Sequence, residues 1–198
     1  GGKVILNKGY GLADRERNIA NTPCTIFDIG SNTKQFTAAA IMKLVDQKKL
    51  STTDHLDQFF DKVPDDKKDI TVHQLMTHTS GISNGFGGDF DGTTKKQFLK
   101  TAFASKLILK PGEKYKYSNA GYSLLAAIIE KVSGMDYEEY LSQNIFKPAG
   151  LNHTGYLLPD WNEQPLAKQY WQGFIDRGTT IKRYLKDGEV SWHLLGNG

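Results

Sequence analysis

One change of rhythm constrains this chain more than any other feature. Thr25-Ile26-Phe27-Asp28-Ile29 alternates apolar and polar residues, the period of a half-buried strand. From Gln35 to Leu50 the period becomes helical: Phe36, Ala40 and Leu44 share one face, with Ile41 and Val45 beside them. A strand running directly into a strong helix points to a mixed α/β architecture. Ser31-Asn32-Thr33-Lys34 lies at the junction, with Ser31 expected as N-cap or first-turn residue.

The remaining elements follow the same logic. Lys3 to Leu12 is expected as a strand ending at Gly9 and Gly11, paired as a hairpin with Thr25–Ile29 across a polar turn from Asp14 to Pro23. Thr71 to Thr77 reads as a short helix, Gly81 to Gly92 as a glycine-rich loop and Lys95 to Leu107 as a helix. Tyr115-Lys116-Tyr117 is brief and extended. The next helix starts near Asn119, carries Tyr122, Leu125, Ile129 and Val132, and stops at Gly134. A further helix spans Tyr137 to Phe146. No repeat or composition shift marks a second unit, so residues 1–198 are expected as one domain.

Composition excludes several classes. The 38% hydrophobic content supports a core and argues against disorder. The longest apolar run, Leu124 to Ile129, is far too short to span a bilayer. A net charge of +3, with lysines scattered among acidic residues, lacks the basic stripe of a nucleic-acid reader. Cys24, the lone cysteine, excludes an internal disulfide and is expected as a small half-buried side chain.

Three strings carry possible chemistry. In Ser31-x-x-Lys34 the hydroxyl and amine lie three residues apart, on one helical face. A serine needs such a neighbour, because its free hydroxyl is almost never ionised at neutral pH. The helix N-terminus favours an alkoxide, offers N–H groups to an oxyanion, and disfavours an ammonium at Lys34. The same string arises by chance about once in a chain of this composition, as a serine cap before a solvated lysine. Tyr117-Ser118-Asn119 places a phenol able to relay a proton beside an amide able to hold a substrate amide or ester. Its bland alternative is a core tyrosine beside an asparagine N-cap. Gly81-Ile82-Ser83-Asn84-Gly85 matches a nucleophile elbow, but a helix rather than a strand precedes it, so it is read as loop.

Asp89-Phe90-Asp91-Gly92 lacks the ligands of a calcium loop, and His55, His73, His78, His153 and His193 form no zinc signature. No metal or other cofactor is expected. Trp161, Tyr170, Trp171 and Trp192 are candidates for a groove, with core or rim positions the alternative.

Taken in order, Ile29-Gly30-Ser31-Asn32-Thr33-Lys34, Leu75 to Ile82, Tyr117 to Tyr122 and Ile145 to Leu151 resemble the serine β-lactamase and penicillin-binding-protein superfamily. Tyr-Ser-Asn in place of Ser-Asp-Asn points to its class C-like branch. The resemblance implies a helical region packed on an antiparallel sheet. It also implies an acyl-enzyme at Ser31, with Lys34 as base partner, Tyr117 assisting proton transfer and Asn119 contacting a small-molecule or peptide substrate. It further implies a periplasmic or extracellular location. The family's third motif, a Lys or His followed by a small residue and Gly on a late strand, has no match after Tyr117. The chain is therefore expected to be a partial domain lacking its late strands, and a poor enzyme alone. The contrasting expectation is a non-catalytic ligand-binding or interaction module that keeps the fold.

Overall fold

The most apolar helix lies at the centre. In the computed structural model, which describes residues 2–89, 91–157, 160–161, 165–171, 175–177, 185–186 and 189–198, helices form at Thr33–Asp46 (α1), Val72–Met76 (α2), Lys95–Ala104 (α3), Asn119–Ser133 (α4) and Tyr137–Leu141 (α5). Helix α5 runs on into a wider π turn at Ser142–Phe146. Every residue of α4 from Ala120 to Ile129 is buried, because α1, α2, α3 and α5 all pack around it. A helix apolar on all sides has no solvent face to present. Ile41 and Leu44 of α1, Leu75 of α2, Phe98 of α3 and Tyr140 of α5 join it in one cluster.

Local chemistry sets the helix ends. Thr71 and Thr94 each form a reciprocal capping box, with Gln74 and Gln97. Ser118, not Asn119, caps α4: its Oγ accepts the Gly121 N–H at 2.9 Å. Gly134 stops α4 in the left-handed conformation, φ 71°, as its position after Ser133 predicts. Glu130 then ties three helices, receiving Lys95 of α3 at 2.5 Å and the Tyr137 N–H of α5 at 2.9 Å.

The extended elements are small antiparallel ribbons beside the helices, giving the expected α+β composition. They comprise Leu12–Asp14 (β1) with Ile19–Ala20 (β2), Tyr170–Trp171 (β3) with Ile175–Asp176 (β4), and Leu185–Lys186 (β5) with Glu189–Val190 (β6). The first hairpin is thus shifted from expectation. It runs from the end of the expected strand, at Leu12, into the segment read as a turn, while residues 3–10 are not in a strand and Ile5 is 94% exposed. Among the described residues this segment has no ladder partner, so its apolar run Val4-Ile5-Leu6 has no sheet to bury it. Thr25–Ile29 likewise makes a single parallel bridge among the described residues, Ile26 to Leu166. Lys168 fixes the hairpin from far along the chain, reaching Asp14 at 3.4 Å, Glu16 at 3.0 Å and Asp176 at 2.8 Å. Cys24 is exposed rather than half-buried, because its segment lies outside the helical core. Among the described residues no helix is long and apolar enough to cross a membrane.

Candidate active site

Ser31 occupies a single 3-10 turn, Gly30–Asn32, that leads into α1. The turn is held by the Gly30 N–H donating to Asp28 Oδ1 at 2.8 Å and by Asn32 Nδ2 donating to the Ile29 carbonyl at 2.9 Å. One helical turn on, Lys34 points back, and its Nζ lies 3.1 Å from Ser31 Oγ. The Tyr117 hydroxyl reaches the same oxygen at 2.8 Å, across 86 residues of sequence. One serine oxygen therefore meets an amine and a phenol at hydrogen-bond distance.

Lys34 is buried, 7% exposed. Its Nζ sits 4.9 Å from the Tyr117 ring centroid and 5.6 Å from that of Tyr122, and donates to the Asn197 carbonyl at 2.6 Å. Burial pulls the amine below the usual lysine pKa, against the opposing pull of Tyr117 and Asp89. A lysine so placed is nearer to the neutral form a general base requires.

Tyr117 is positioned by a residue that the sequence does not single out. His78 accepts the Ser118 N–H at Nδ1, 3.1 Å away, and its own carbonyl accepts the Lys116 N–H at 2.8 Å. Its ring stacks 4.5 Å from Tyr117 and 5.0 Å from Tyr122. Because a backbone N–H must donate, Nδ1 carries the lone pair and Nε2 the proton. Burial first, and the Lys34 charge second, hold the His78 pKa below its ordinary value. Its backbone sits at φ 58°, the left-handed region, which lets the carbonyl and the ring grip neighbouring residues of one strand-like segment.

Asn119 opens onto a cavity of about 260 Å³, which Asn84, Asp89 and His193 also line. Its Oδ1 is buried without a hydrogen-bond partner, while its N–H donates to Asn84 Oδ1 at 3.2 Å. An amide oxygen in that state is an unused acceptor for an N–H brought by a ligand. Burial raises the Asp89 carboxyl's pKa, opposed by His193 and Lys34.

The other sequence candidates lie elsewhere. Ser83 donates to the Gly85 carbonyl within the loop after α2, as its helix-first context predicts. Trp161 lines a separate apolar cleft of about 300 Å³ with Phe36 and Phe146, Trp192 packs on the core, and Tyr170 bonds Glu16 at the rim. The ring of Trp171 lies outside the described residues. No group of three or more His, Cys, Asp or Glu residues gathers to hold a metal among those described.

Comparison with known proteins places the chain in a family. The Beta-lactamase family model matches residues 1–187. A putative penicillin-binding protein, PbpX, of Bacillus subtilis (strain 168) is 39% identical over 186 residues, covering 94% of this chain and 46% of its own length. The octameric penicillin-binding protein homologue from Pyrococcus abyssi superposes with a TM-score of 0.77 at 35% identity, over 96% of this chain and 43% of that one. A beta-lactamase/D-alanine carboxypeptidase from Yersinia pestis, solved with citrate, gives 0.74 at 27% identity, over 87% and 52%. The chain thus spans less than half the length of the PbpX relative. With the matched model covering nearly all of it, the chain belongs to the beta-lactamase family of serine-hydrolase-type, penicillin-binding-protein-related folds.

Proposed function

We propose that the protein is a serine acyl hydrolase working through an acyl-enzyme at Ser31. The observation that carries this reading is the convergence of Lys34 Nζ and Tyr117 Oη on one serine oxygen, at 3.1 and 2.8 Å. Ser31 Oγ attacks a carbonyl carbon while its proton passes to Lys34 or Tyr117, which act as a coupled pair. The tetrahedral oxyanion forms at the head of α1, where the helix dipole and the Ser31 N–H stabilise it. The carbonyl re-forms as the leaving group departs with that proton, and water repeats the sequence to free the acid. Asn119 binds the substrate, its unpaired Oδ1 accepting an N–H from the acyl portion.

The substrates that fit are an ester, a D-amino-acid peptide or a β-lactam. Two structural neighbours, one a penicillin-binding protein homologue and one a beta-lactamase/D-alanine carboxypeptidase, support this range.

The test is covalent. The intact protein is exposed separately to a fluorophosphonate and to a β-lactam, then weighed by mass spectrometry. The expected result is one adduct that disappears in Ser31→Ala. No adduct with either reagent overturns the assignment and favours a binding module. Turnover of a chromogenic cephalosporin against a short-chain nitrophenyl ester then separates lactamase from esterase.

A further inference from the structure

Lys34 is gripped from behind as well as in front. The segment Ser191–Gly198 folds into a turn against α1 and α4, and three of its successive carbonyls, those of Leu195, Gly196 and Asn197, each accept a side-chain donor. Thr37 Oγ1 of α1 donates to the Gly196 carbonyl at 2.7 Å, Ser123 Oγ of α4 donates to the Leu195 carbonyl at 2.9 Å, and Lys34 Nζ donates to the Asn197 carbonyl at 2.6 Å. The Asn197 side chain locks the same turn: its Nδ2 donates to Ser123 Oγ at 2.9 Å and to the His193 carbonyl at 2.8 Å. Gly196, at φ 86°, lets the turn approach this closely, since a Cβ there would lie 2.8 Å from the Tyr122 carbonyl oxygen. Ser123 is 0% and Asn197 2% exposed, so no water competes for these contacts.

We propose that Ser123 and Asn197 are positioning residues for acyl transfer at Ser31: they fix the turn that holds a backbone carbonyl on Lys34 and so aim its amine at the serine. The inference rests on the role of Lys34 proposed above. A neutral amine has two N–H bonds and one lone pair. Committing one N–H to an immobile carbonyl restricts rotation about the end of a four-carbon stem and leaves the lone pair free to face Ser31 Oγ. Without that tether the amine spreads over several rotamers, and only some present a lone pair to the hydroxyl. Neither side chain touches Ser31 or the Lys34 amine; both act through the Asn197 carbonyl, which accepts from that amine. Ser123 sits one helical turn beyond Asn119 on α4, so one helix carries the substrate-facing amide and the anchor of the base.

The test uses the intact protein and a fluorophosphonate, with labelling resolved into a reversible binding constant and an acylation rate constant. Ser123→Ala removes the hydroxyl that joins Leu195 to Asn197, and Asn197→Ala removes the side chain while keeping its backbone carbonyl. Each is expected to slow acylation about 10- to 100-fold, the scale of a misplaced reacting group, with binding changed less than about twofold. The double variant is expected to be no slower than the slower single, because both changes break one network. If Ser123→Ala melts below the assay temperature, Asn197→Asp carries the test, since a carboxylate cannot donate to Ser123 or to the His193 carbonyl. Parent-like acylation in the folded variants, losses that multiply, or an equal loss in binding would overturn the proposal. An adduct on the parent with unchanged variants sinks this inference alone; no adduct on the parent sinks the hydrolase assignment with it.

Discussion

Replacing His78 tests how the site is assembled. The Ser118 N–H, in a residue only 1% exposed, donates to His78 Nδ1 at 3.1 Å. His78→Ala leaves that donor buried without an acceptor, at about 1–3 kcal/mol. Loss of the ring from its stack on Tyr117 and Tyr122 removes about 0.5–1.5 kcal/mol more. Alanine tolerates the left-handed backbone no better than histidine, so His78→Ala should destabilise by at least about 1.5–4.5 kcal/mol. His78→Asn separates the two contributions. Its Oδ1 lies the same number of bonds from the backbone as Nδ1, and asparagine tolerates positive φ. Only the ring packing is lost, so about 1 kcal/mol is expected. Urea unfolding of the intact protein at neutral pH measures both values. The sign with pH is also fixed. Because the folded His78 pKa is lowered, its contribution is fully present above the ordinary value of about 6.5 and is lost as pH falls through the folded value. His78→Asn should lack that acid loss. Equal stabilities for the alanine and asparagine variants would refute the account, because the hydrogen bond would then carry nothing.

Other consequences are more direct. Acylation should rise with pH through a limb set by Lys34 and lying below the ordinary lysine value of about 10.4, because burial favours the neutral amine; a pH–rate profile with its limb at or above that value would contradict the role of burial. Tyr117→Phe keeps the ring on His78 but removes the hydroxyl 2.8 Å from Ser31, so stability should hold while acylation falls about 10²- to 10⁴-fold in stopped-flow labelling. Leu124→Ala, at a wholly buried position of α4, should lower the unfolding free energy by about 2–5 kcal/mol in the same urea assay.

The parts of the molecule that sequence reveals are those whose causes are local. Helix α4 announces itself by unbroken apolar content and ends at a glycine that alone adopts its C-terminal conformation cheaply. The Ser31–Lys34 pair follows from helical spacing. The β1–β2 hairpin could not be placed the same way, because Lys168, more than 140 residues further on, holds its acidic residues. Tyr117 is legible as a phenol able to relay a proton, but nothing in Tyr-Ser-Asn itself says that it meets a serine 86 residues earlier. His78 and Asn197 left no side-chain signature at all. Each does much of its work through main-chain groups, the Ser118 N–H in one case and its own carbonyl in the other, and any sequence can supply those atoms.

The burial of α4 on every side has a consequence for the time scale on which the site opens. Amides in the middle of such a helix exchange with solvent deuterium only when the whole cluster comes apart, whereas the largely exposed loop from Asn84 to Gly88 can open locally. Tyr117 and Asn119 stand at the root of the slow-exchanging rod. Breathing at the mouth of the cleft can therefore admit and release ligands while the phenol and the amide beneath it keep their places.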